Sequence, residues 1–291
     1  MFGGRPFQKM LPSRTIKTIL SVSISGDQMA FLENQGAQIY WDEQGKGEPV
    51  LLIMGLGYPS YLWHRTRPTL NERYRTIALD NRGSGQSDAT PGPYSIPLMA
   101  SDAAAALDAA GMQNAHVFGL SMGGMIAQEF ALQYPARVRS LILGCTAAGG
   151  PSAVRAEKRV TDVLTGSAMG FEAMTQAMRP FVYDVSTPAD RIEEDLVIRR
   201  KWFPRPEAYM AQLQAIFAWE AYSRLEKITA PTLVIHGETD QLVPAGNGKL
   251  IASRVAGSKL VMLPHASHIF TTDQPEASRK AVIEFLGAHA S

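Results

Sequence analysis

One serine in the chain lies in a pattern typical of a covalent nucleophile. Ser121 stands in the segment Gly119-Leu120-Ser121-Met122-Gly123, which joins an apolar run to a helical pattern that begins at Met122. A serine hydroxyl attacks a carbonyl well only when it is exposed on a sharp turn, and the two glycines give that turn its clearance. A glycine-rich turn without chemistry is the alternative interpretation. The order strand, motif, helix favours the nucleophile.

A nucleophilic serine needs a base to take its proton, and the base needs a carboxylate to orient it. The histidines that follow Ser121 in the chain are His236, His265, His268 and His289. His236 ends an apolar run and is interpreted as strand-end packing or a hydrogen-bonded loop residue, and His289 lies in the last turn of the chain. The choice of base is therefore between His265 and His268.

Alternating strands and helices must position these groups. Short apolar runs predict strands buried on both faces at Pro49–Met54, Tyr74–Leu79, Ala115–Gly119, Val138–Leu143, Pro231–His236 and Lys259–Leu263. Helical patterns occur at Leu98–Ala110, Met122–Tyr134 and Ser278–Leu286. A hairpin is predicted from Met29–Glu33 and Ala37–Asp42, with Asn34-Gln35-Gly36 as its turn. We expect an α/β fold with a mostly parallel central sheet and helices on both faces.

The strand pattern is interrupted between residues 151 and 227. Helical spacing takes over there, for example at Ala153–Leu164, Ala189–Trp202 and Pro206–Leu225. We interpret residues 151–227 as a helical cap, or lid, inserted into a core formed by residues 29–150 and 228–291. Residues 1–28 are predicted to form an N-terminal arm outside the core.

The composition is that of an ordinary globular protein. The chain has 291 residues, 45% of them hydrophobic and 19% charged, and a formal net charge of +1, so we expect no nucleic-acid partner. The apolar stretch at residues 19–24 is weak for a signal peptide, so we expect a cytoplasmic protein without a membrane span, with export as the disfavoured alternative. The single cysteine, Cys145, ends an apolar run and is predicted to be buried and inert.

A second segment adds to the serine motif. Residues 80–88, Asp-Asn-Arg-Gly-Ser-Gly-Gln-Ser-Asp, are similar to the D-x-R-G-x-G-x-S segment in the esterase, lactonase and epoxide-hydrolase branches of the α/β-hydrolase superfamily. The chain resembles this superfamily from about Gln38 to Leu286, and the resemblance implies the α/β-hydrolase fold. Asp80 and Arg82 are interpreted as scaffolding of a glycine-rich turn.

The resemblance also implies the base. In the superfamily, the histidine lies in a loop after the last strand. A glycine usually precedes it in the chain, and a proline follows several residues later. Here Ser267 replaces that glycine, while Gln274-Pro275-Glu276 lies at the expected distance beyond His268. His268 is favoured as the base, and His265 would then be a loop residue near the site.

The acid follows from the same resemblance. Residues 237–244 resemble the superfamily's G-x-x-D-x-x-V-P loop, and Asp240 occupies the position of the acid. Glu238 is the competing carboxylate and is interpreted as solvated or structural. The turn that carries the nucleophile in this superfamily is called the elbow, and some relatives carry the acid after the strand that follows the elbow's helix. Residues 144–147, which occupy that position here, contain no carboxylate, and this favours Asp240.

The oxyanion hole is predicted from backbone N–H groups of Leu56 and Met122. Leu56 lies in the loop Met54-Gly55-Leu56-Gly57-Tyr58. Relatives usually have His-Gly where this chain has Met54-Gly55. Since the donor is a main-chain amide, this departure is compatible with function, but Met54 cannot supply a hydrogen bond that the usual histidine would make.

A serine at the elbow implies acyl transfer to water through an acyl-enzyme, because dehalogenases and epoxide hydrolases of the superfamily carry aspartate there. No metal or organic cofactor is expected. The cap is rich in aromatic residues, and the substrate pocket is predicted to involve Gly55, Trp202, Phe217 and Trp219.

The predicted partner is therefore a small hydrophobic ester or lactone, and the pattern resembles small carboxylesterases and 3-oxoadipate enol-lactonase-like hydrolases. A C–C bond hydrolase, a perhydrolase and an acyltransferase on the same triad remain alternatives, as does a non-catalytic small-molecule receptor. The sequence leaves open whether the chain is a monomer or a homodimer.

Overall fold

The computed structural model of the chain describes residues 18–24, 27–166 and 170–290. Nine strands are formed by the described residues: β1 (Thr18–Ile24), β2 (Asp27–Asn34), β3 (Ala37–Gly45), β4 (Glu48–Ile53), β5 (Tyr74–Leu79), β6 (Ala115–Leu120), β7 (Val138–Gly144), β8 (Thr232–Gly237) and β9 (Lys259–Leu263). The α-helices are α1 (Arg67–Asn71), α2 (Ile96–Ala109), α3 (Met122–Gln133), α4 (Lys158–Thr165), α5 (Phe171–Val182), α6 (Ala189–Lys201), α7 (Pro206–Ala218), α8 (Gly246–Arg254), α9 (Phe270–Asp273) and α10 (Pro275–Gly287). Short 3-10 helices occur at Ser60–Arg65, Pro135–Arg137 and Tyr222–Lys227.

The strands form one sheet in the order β1-β2-β3-β5-β4-β6-β7-β8-β9. Neighbours from β5 to β9 are parallel, whereas β1, β2, β3 and β5 pair antiparallel. Because parallel neighbours need crossover connections, helices separate these strands along the chain. The predicted mostly parallel α/β sheet is confirmed, and the carboxyl ends of β4, β6, β8 and β9 meet at one edge.

The strands predicted from apolar runs are observed with bounds that agree within one residue. In the N-terminal hairpin, the turn residues Gln35 and Gly36 have φ angles of 48° and 77°. Positive φ at both central residues is the geometry that matches a two-residue turn to the twist of its strands. The hairpin and its turn are therefore confirmed, although β3 runs three residues further than predicted.

Both faces of the sheet are covered. In β4, Leu51 and Ile53 pack into a cluster with side chains of α2 and α3, and Val50 and Leu52 pack into a second cluster with α1, α9 and α10. All four side chains are fully buried. The uninterrupted apolar run of the sequence thus corresponds to a strand that faces protein on both sides.

The segment predicted as a cap contains α4 to α7, whose apolar side chains form a third cluster: Phe171, Met174, Met178, Val182, Tyr183, Ile192, Leu196, Tyr209 and Leu213. Leu56, Leu242 and Ile269, from loops that follow β4, β8 and β9, pack against this cluster. The cap helices therefore cover the edge of the sheet where the carboxyl ends of the parallel strands meet.

The predicted bounds of two cap helices are wrong. Helix α4 begins at Lys158 rather than Ala153, since Val154 exchanges two hydrogen bonds with the side chain of Asn247. Helix α7 ends at Ala218, and the Ala221 amide donates to the Ala148 carbonyl at 2.8 Å. Contacts with distant segments override helical periodicity at both places.

The predicted N-terminal arm is described only in part, since residues 1–17, 25 and 26 lie outside the described residues. Thr18–Ile24 forms β1 and pairs with β2, so the sheet extends into the segment that the sequence assigned to the arm. Among the described helices, none has the length and apolar character that a bilayer crossing requires.

Candidate active site

Ser121 lies on the sharp turn between β6 and α3. Its backbone angles, φ 56° and ψ −120°, fall in a region that residues other than glycine rarely adopt. Two hydrogen bonds fix this strained turn: the Ser121 amide donates to the Gly144 carbonyl at 2.9 Å, and the Thr146 hydroxyl donates to the Ser121 carbonyl at 2.7 Å. The turn leaves the serine side chain at the carboxyl edge of the sheet, where it lines a cavity.

Three glycines make room for this turn. A Cβ atom on Gly119 would overlap the carbonyl of Gly123, and a Cβ atom on Gly123 would overlap the carbonyl of Ile53. A Cβ atom on Gly55 would lie only 3.1 Å from the Cβ atom of Ser121. The spacing of the elbow motif is therefore set by backbone segments that approach each other without side chains between them.

His268 reaches the serine from the loop between β9 and α9. Its Nε2 lies 3.0 Å from Ser121 Oγ, and its Nδ1 lies 2.9 Å from Oδ2 of Asp240. Because Nδ1 faces a carboxylate, it carries the ring hydrogen and donates it, which leaves Nε2 free to accept from the serine hydroxyl. The loop is held by its neighbours: the Ser267 amide donates to Asp273 and the Ile269 amide donates to the Val182 carbonyl.

Asp240 follows β8 in a tight turn and is buried. Its Oδ1 accepts from the amides of Leu242 and Val243, both at 2.9 Å, and its Oδ2 accepts from His268. Burial acts to raise the pKa of Asp240, but the charge and hydrogen bonds of His268 and His236 outweigh it, so the pKa lies below its ordinary value. This carboxyl group is therefore ionised at neutral pH.

His236 contributes more to the site than the sequence indicates. It is fully buried at the end of β8, and its Nε2 lies 2.7 Å from the Val243 carbonyl and 3.2 Å from Oδ2 of Asp240. Since Nε2 faces the Val243 carbonyl, it carries the hydrogen and donates it there, and the same N–H group lies beside Oδ2 of Asp240, whose pKa it helps to lower. The spacing of four residues between His236 and Asp240 is the signal that sequence reasoning missed.

The competing candidates lie apart from this hydrogen-bonded chain. His265 is exposed in the same loop, and its carbonyl accepts from Gln274 at 3.0 Å. Glu238 is also exposed, and its amide donates to the Leu263 carbonyl. Ser121, His268 and Asp240 are thus the three predicted site residues that the fold brings into direct hydrogen-bond contact.

The two amides predicted for an oxyanion hole border the serine. Leu56 follows Gly55, which lies in contact with Ser121, and Met122 is the first residue of α3. Within the part of the chain that the structure describes, neither the Leu56 nor the Met122 amide donates a hydrogen bond. Both N–H groups are therefore available to a ligand.

A second layer of contacts supports the loop that holds Leu56. The Gly57 amide donates to Oε1 of Gln212 from α7 at 2.8 Å, and the Met54 carbonyl accepts from the side chain of Asn81 at 2.8 Å. The Met54 side chain is buried and lines the cavity.

The glycine-rich segment after β5 serves as scaffold. Asp80 is fully buried and accepts from the amides of Ser60 and Gln86, while Arg82 makes a two-pronged pair with Asp102 at 2.8 and 2.7 Å. Burial raises the pKa of Asp80 to about 6. Neither Asp80 nor Arg82 lines the cavity that contains Ser121, as the sequence predicts.

The cavity beside Ser121 has a volume of about 680 Å³ and lies between the core and the cap. Apolar side chains dominate its lining, with Leu62, Met125, Met174 and Ile216 among them. Ligand sites of proteins have this size and character.

Of the predicted pocket residues, Gly55 and Phe217 line the cavity, and the prediction is wrong for Trp202 and Trp219. The Trp219 ring is buried in the core, where its N–H donates to Glu129 at 2.8 Å. The Trp202 ring is half-buried and stacks on Tyr61 at 6.0 Å with an interplanar angle of 8°. Both rings have partners elsewhere.

Cys145 is buried, as predicted, and burial raises the pKa of its thiol well above the ordinary value. Within residues 18–24, 27–166 and 170–290, no group of three or more His, Cys, Asp or Glu side chains is arranged to hold a metal ion.

Comparisons with known proteins agree with the fold. The family described as alpha/beta hydrolase fold matches residues 48–180. A protein of Azorhizobium caulinodans, named "Putative carbamate hydrolase RutD", is 32% identical over 89% of this chain and 98% of its own.

Two solved structures have the same architecture. A hydrolase from Pseudomonas aeruginosa PA01 superposes with a TM-score of 0.79 at 27% identity, over 89% of this chain and 98% of its own. The enol-lactonase from Burkholderia xenovorans LB400 gives a TM-score of 0.77 at 27% identity, over 87% of this chain and 98% of its own.

Proposed function

The chain belongs to the α/β-hydrolase superfamily, and on this premise we propose that it is a serine hydrolase that cleaves a small hydrophobic carboxylic ester or lactone. The observation that carries the proposal is the hydrogen-bonded chain from Ser121 through His268 to Asp240 beside an apolar cavity. A serine oxygen that shares its hydrogen with an oriented imidazole is the arrangement that activates a hydroxyl for attack on a carbonyl.

In the acylation step, Ser121 Oγ attacks the ester carbonyl carbon and its proton passes to Nε2 of His268. The carbonyl oxygen becomes an oxyanion, and the amides of Leu56 and Met122 stabilise it. The tetrahedral intermediate then collapses, the bond to the alcohol oxygen breaks, and His268 gives its proton to that oxygen. Asp240 stays ionised throughout and stabilises the imidazolium that forms.

In the deacylation step, water takes the place of the alcohol. His268 accepts a proton from the water, whose oxygen attacks the acyl carbon of the ester formed with Ser121. Collapse of the second tetrahedral intermediate returns the proton to Ser121 Oγ and releases a carboxylic acid. The cycle consumes one water molecule and needs no electron transfer.

The cavity supports the choice of substrate class. Its apolar lining and its volume of about 680 Å³ suit a small acyl or alcohol group. The similar structure named as an enol-lactonase acts on a cyclic ester according to its name, which agrees with an ester or lactone substrate here.

The test is a series of 4-nitrophenyl esters from acetate to octanoate, assayed with the natural chain and with Ser121→Ala. We expect hydrolysis that depends on chain length in the natural chain and a loss of at least about 10⁴-fold in kcat in the variant. A fluorophosphonate probe should label Ser121 in the natural chain. Inert esters together with an unlabelled serine would sink the proposal.

A carbamate is a second candidate, because the RutD relative carries that substrate in its name. The same serine attack on a carbamate carbonyl would release an alcohol and leave a carbamoyl group on Ser121. Water would then cleave this group from the serine as carbamic acid, which decomposes to carbon dioxide and ammonia. Matched assays of butyl acetate and butyl carbamate distinguish the two, with ammonia release as the sign of carbamate cleavage. A higher kcat/KM for butyl carbamate would favour this second candidate.

A further inference from the structure

The charged side chains around the cavity all have one sign. Among the described residues that line it, the charged side chains other than the histidine beside the serine are Arg155 and Arg199, and no aspartate or glutamate is present. Arg155 is exposed, whereas Arg199 is half-buried on α6. A predominantly apolar cavity thus presents a half-buried arginine in the same space as Ser121.

Arg199 has no counter-charge of its own. Within the described residues, no carboxylate lies within 4 Å of its guanidinium group, and the group donates no hydrogen bond. Its neighbour Arg200, by contrast, contacts Glu172 at 3.1 Å. The Arg199 guanidinium instead lies over the ring of Tyr58, 4.3 Å from the ring centre.

The carboxylate nearest along α6 is engaged elsewhere. Asp195, one turn before Arg199, accepts from the hydroxyls of Thr272 at 2.6 Å and Tyr183 at 3.2 Å. Arg65 lies 3.5 Å from its other oxygen. Nor does Tyr58 supply a negative charge, since burial raises the pKa of its phenol and keeps it neutral.

A half-buried guanidinium without an anion has lost hydration without an ion pair in return. Stacking on an aromatic ring holds the planar group in place, and its N–H donors then point in fixed directions that match the two oxygens of a carboxylate. A ligand carboxylate that enters the cavity would complete the missing pair.

We infer that Arg199 binds a carboxylate of the substrate, so that the ester or lactone cleaved at Ser121 carries a negative charge away from the scissile carbonyl. This inference rests on the proposed function, and it narrows the substrate from a neutral hydrophobic ester to an anionic one. The carboxylate belongs to either the acyl or the alcohol part.

The first experiment compares esters that differ by one carboxylate. In the first pair, monomethyl adipate carries the carboxylate in its acyl part, and methyl hexanoate is its neutral counterpart. In the second pair, 5-acetoxypentanoate carries the carboxylate in its alcohol part, and pentyl acetate is its neutral counterpart. Acid release is followed by titration at constant pH. We expect kcat/KM to be at least about tenfold higher for the anionic member of one pair, and the pair that shows the preference identifies which part carries the carboxylate.

The second experiment removes the charge. Arg199→Met should raise KM for the preferred anionic ester by about tenfold or more, leave its kcat within about threefold, and change kcat/KM for the neutral ester by less than about threefold. Arg200→Met is the matched control, because it removes one exposed charge from the same helix, and it should retain the anionic preference. The inference would be overturned if Arg199→Met lowered kcat/KM equally for the anionic and the neutral ester, or if the natural chain showed no preference for the anionic ester.

A binding measurement keeps this inference separate from the proposed chemistry. Monomethyl adipate and 5-acetoxypentanoate are titrated calorimetrically into Ser121→Ala and into the double variant Ser121→Ala, Arg199→Met. Binding of either ester that the second substitution weakens about tenfold supports the role of Arg199 even if no ester is hydrolysed. If neither ester binds Ser121→Ala, the inference that Arg199 binds a substrate carboxylate is wrong. Hydrolysis of neutral esters through Ser121 would still support the proposed function in that case.

Discussion

The core and the cap hold their functional side chains in different ways. In the core, Ser121, Asp240 and His268 each follow a parallel strand, and hydrogen bonds with core backbone groups hold Ser121 and Asp240; both amides that bind Oδ1 of Asp240 come from the next three residues. In the cap, Arg199 owes its position to a ring, Tyr58, that belongs to a core loop. The proposed chemistry therefore depends mainly on short turns that follow core strands, whereas selectivity depends on how two distant segments pack.

Among substitutions in the core, replacement of the proposed base should have the largest effect. His268→Gln keeps a polar side chain of similar reach but removes the proton acceptor at Nε2. We expect kcat to fall by at least about 10⁴-fold for every ester, with an unchanged circular dichroism spectrum. His265→Gln is the matched control and should keep its rate within about twofold, because His265 is exposed. The base assignment is wrong if the two variants exchange these results.

The acid should give a somewhat smaller effect. Asp240→Asn preserves the shape of the side chain but cannot stabilise the imidazolium of His268, so kcat should fall by about 10³- to 10⁴-fold with little change in KM. Glu238→Gln removes the exposed carboxylate two residues earlier and should leave kcat unaltered. Steady-state kinetics of both variants on one ester decide between the two carboxylates.

Asp273 connects the two regions, and its effect on stability should depend on pH. Its carboxylate accepts from Thr187 in the cap segment and from the Ser267 amide beside His268. Burial raises the pKa of Asp273 to about 6. The folded state therefore binds this proton more tightly than the unfolded chain, and the stabilisation is full below pH ~4 and lost as the pH rises through about 6.

The measurement is urea denaturation of the natural chain and Asp273→Asn from pH 4 to pH 7. The free energy of unfolding of the natural chain, relative to that of Asp273→Asn, should fall by about 2 kcal/mol from pH 4 to pH 7. Asp162→Asn, at an exposed position of α4, should show no such trend. A difference that stays constant with pH would show that protonation of Asp273 does not contribute.

The same division between local and distant contacts explains what the sequence could predict. The strand bounds and the nucleophile Ser121 can be predicted from the sequence because apolar runs and closely spaced glycines act over a few residues. The predicted end of α7 was wrong because Ala221 pairs with the distant Ala148. Trp219 was assigned to the pocket because an aromatic residue in a helical segment does not reveal which partner its ring will find, and here the partner is Glu129.

Arg199 illustrates the limit most clearly. It is the first of three consecutive basic residues at the end of α6, where cations are common because they interact favourably with the helix dipole. Nothing in that run separates it from Arg200 or Lys201. Only the packing of α6 over Tyr58 turns one of the three toward the cavity.

The smallest effect on kcat is predicted at Gln212, a single side chain that connects the cap to the core. Gln212 of α7 is fully buried; its Oε1 accepts from the Gly57 amide, and its Nε2 donates to the Arg82 carbonyl and to Ser84. Gln212→Leu leaves these groups unpaired and loosens the loop that presents the Leu56 amide, so kcat should fall about tenfold for neutral and anionic esters alike.

The matched control for that substitution is Gln214→Leu, two residues further along α7 at an exposed position, which should retain the natural kcat. A fall in kcat without a change in the preference for anionic esters would mean that the cap supports the chemistry through Gln212 and selects the substrate through Arg199. If Gln212→Leu instead keeps the full rate, the core holds its oxyanion loop unaided, and the contribution of the cap is confined to selectivity.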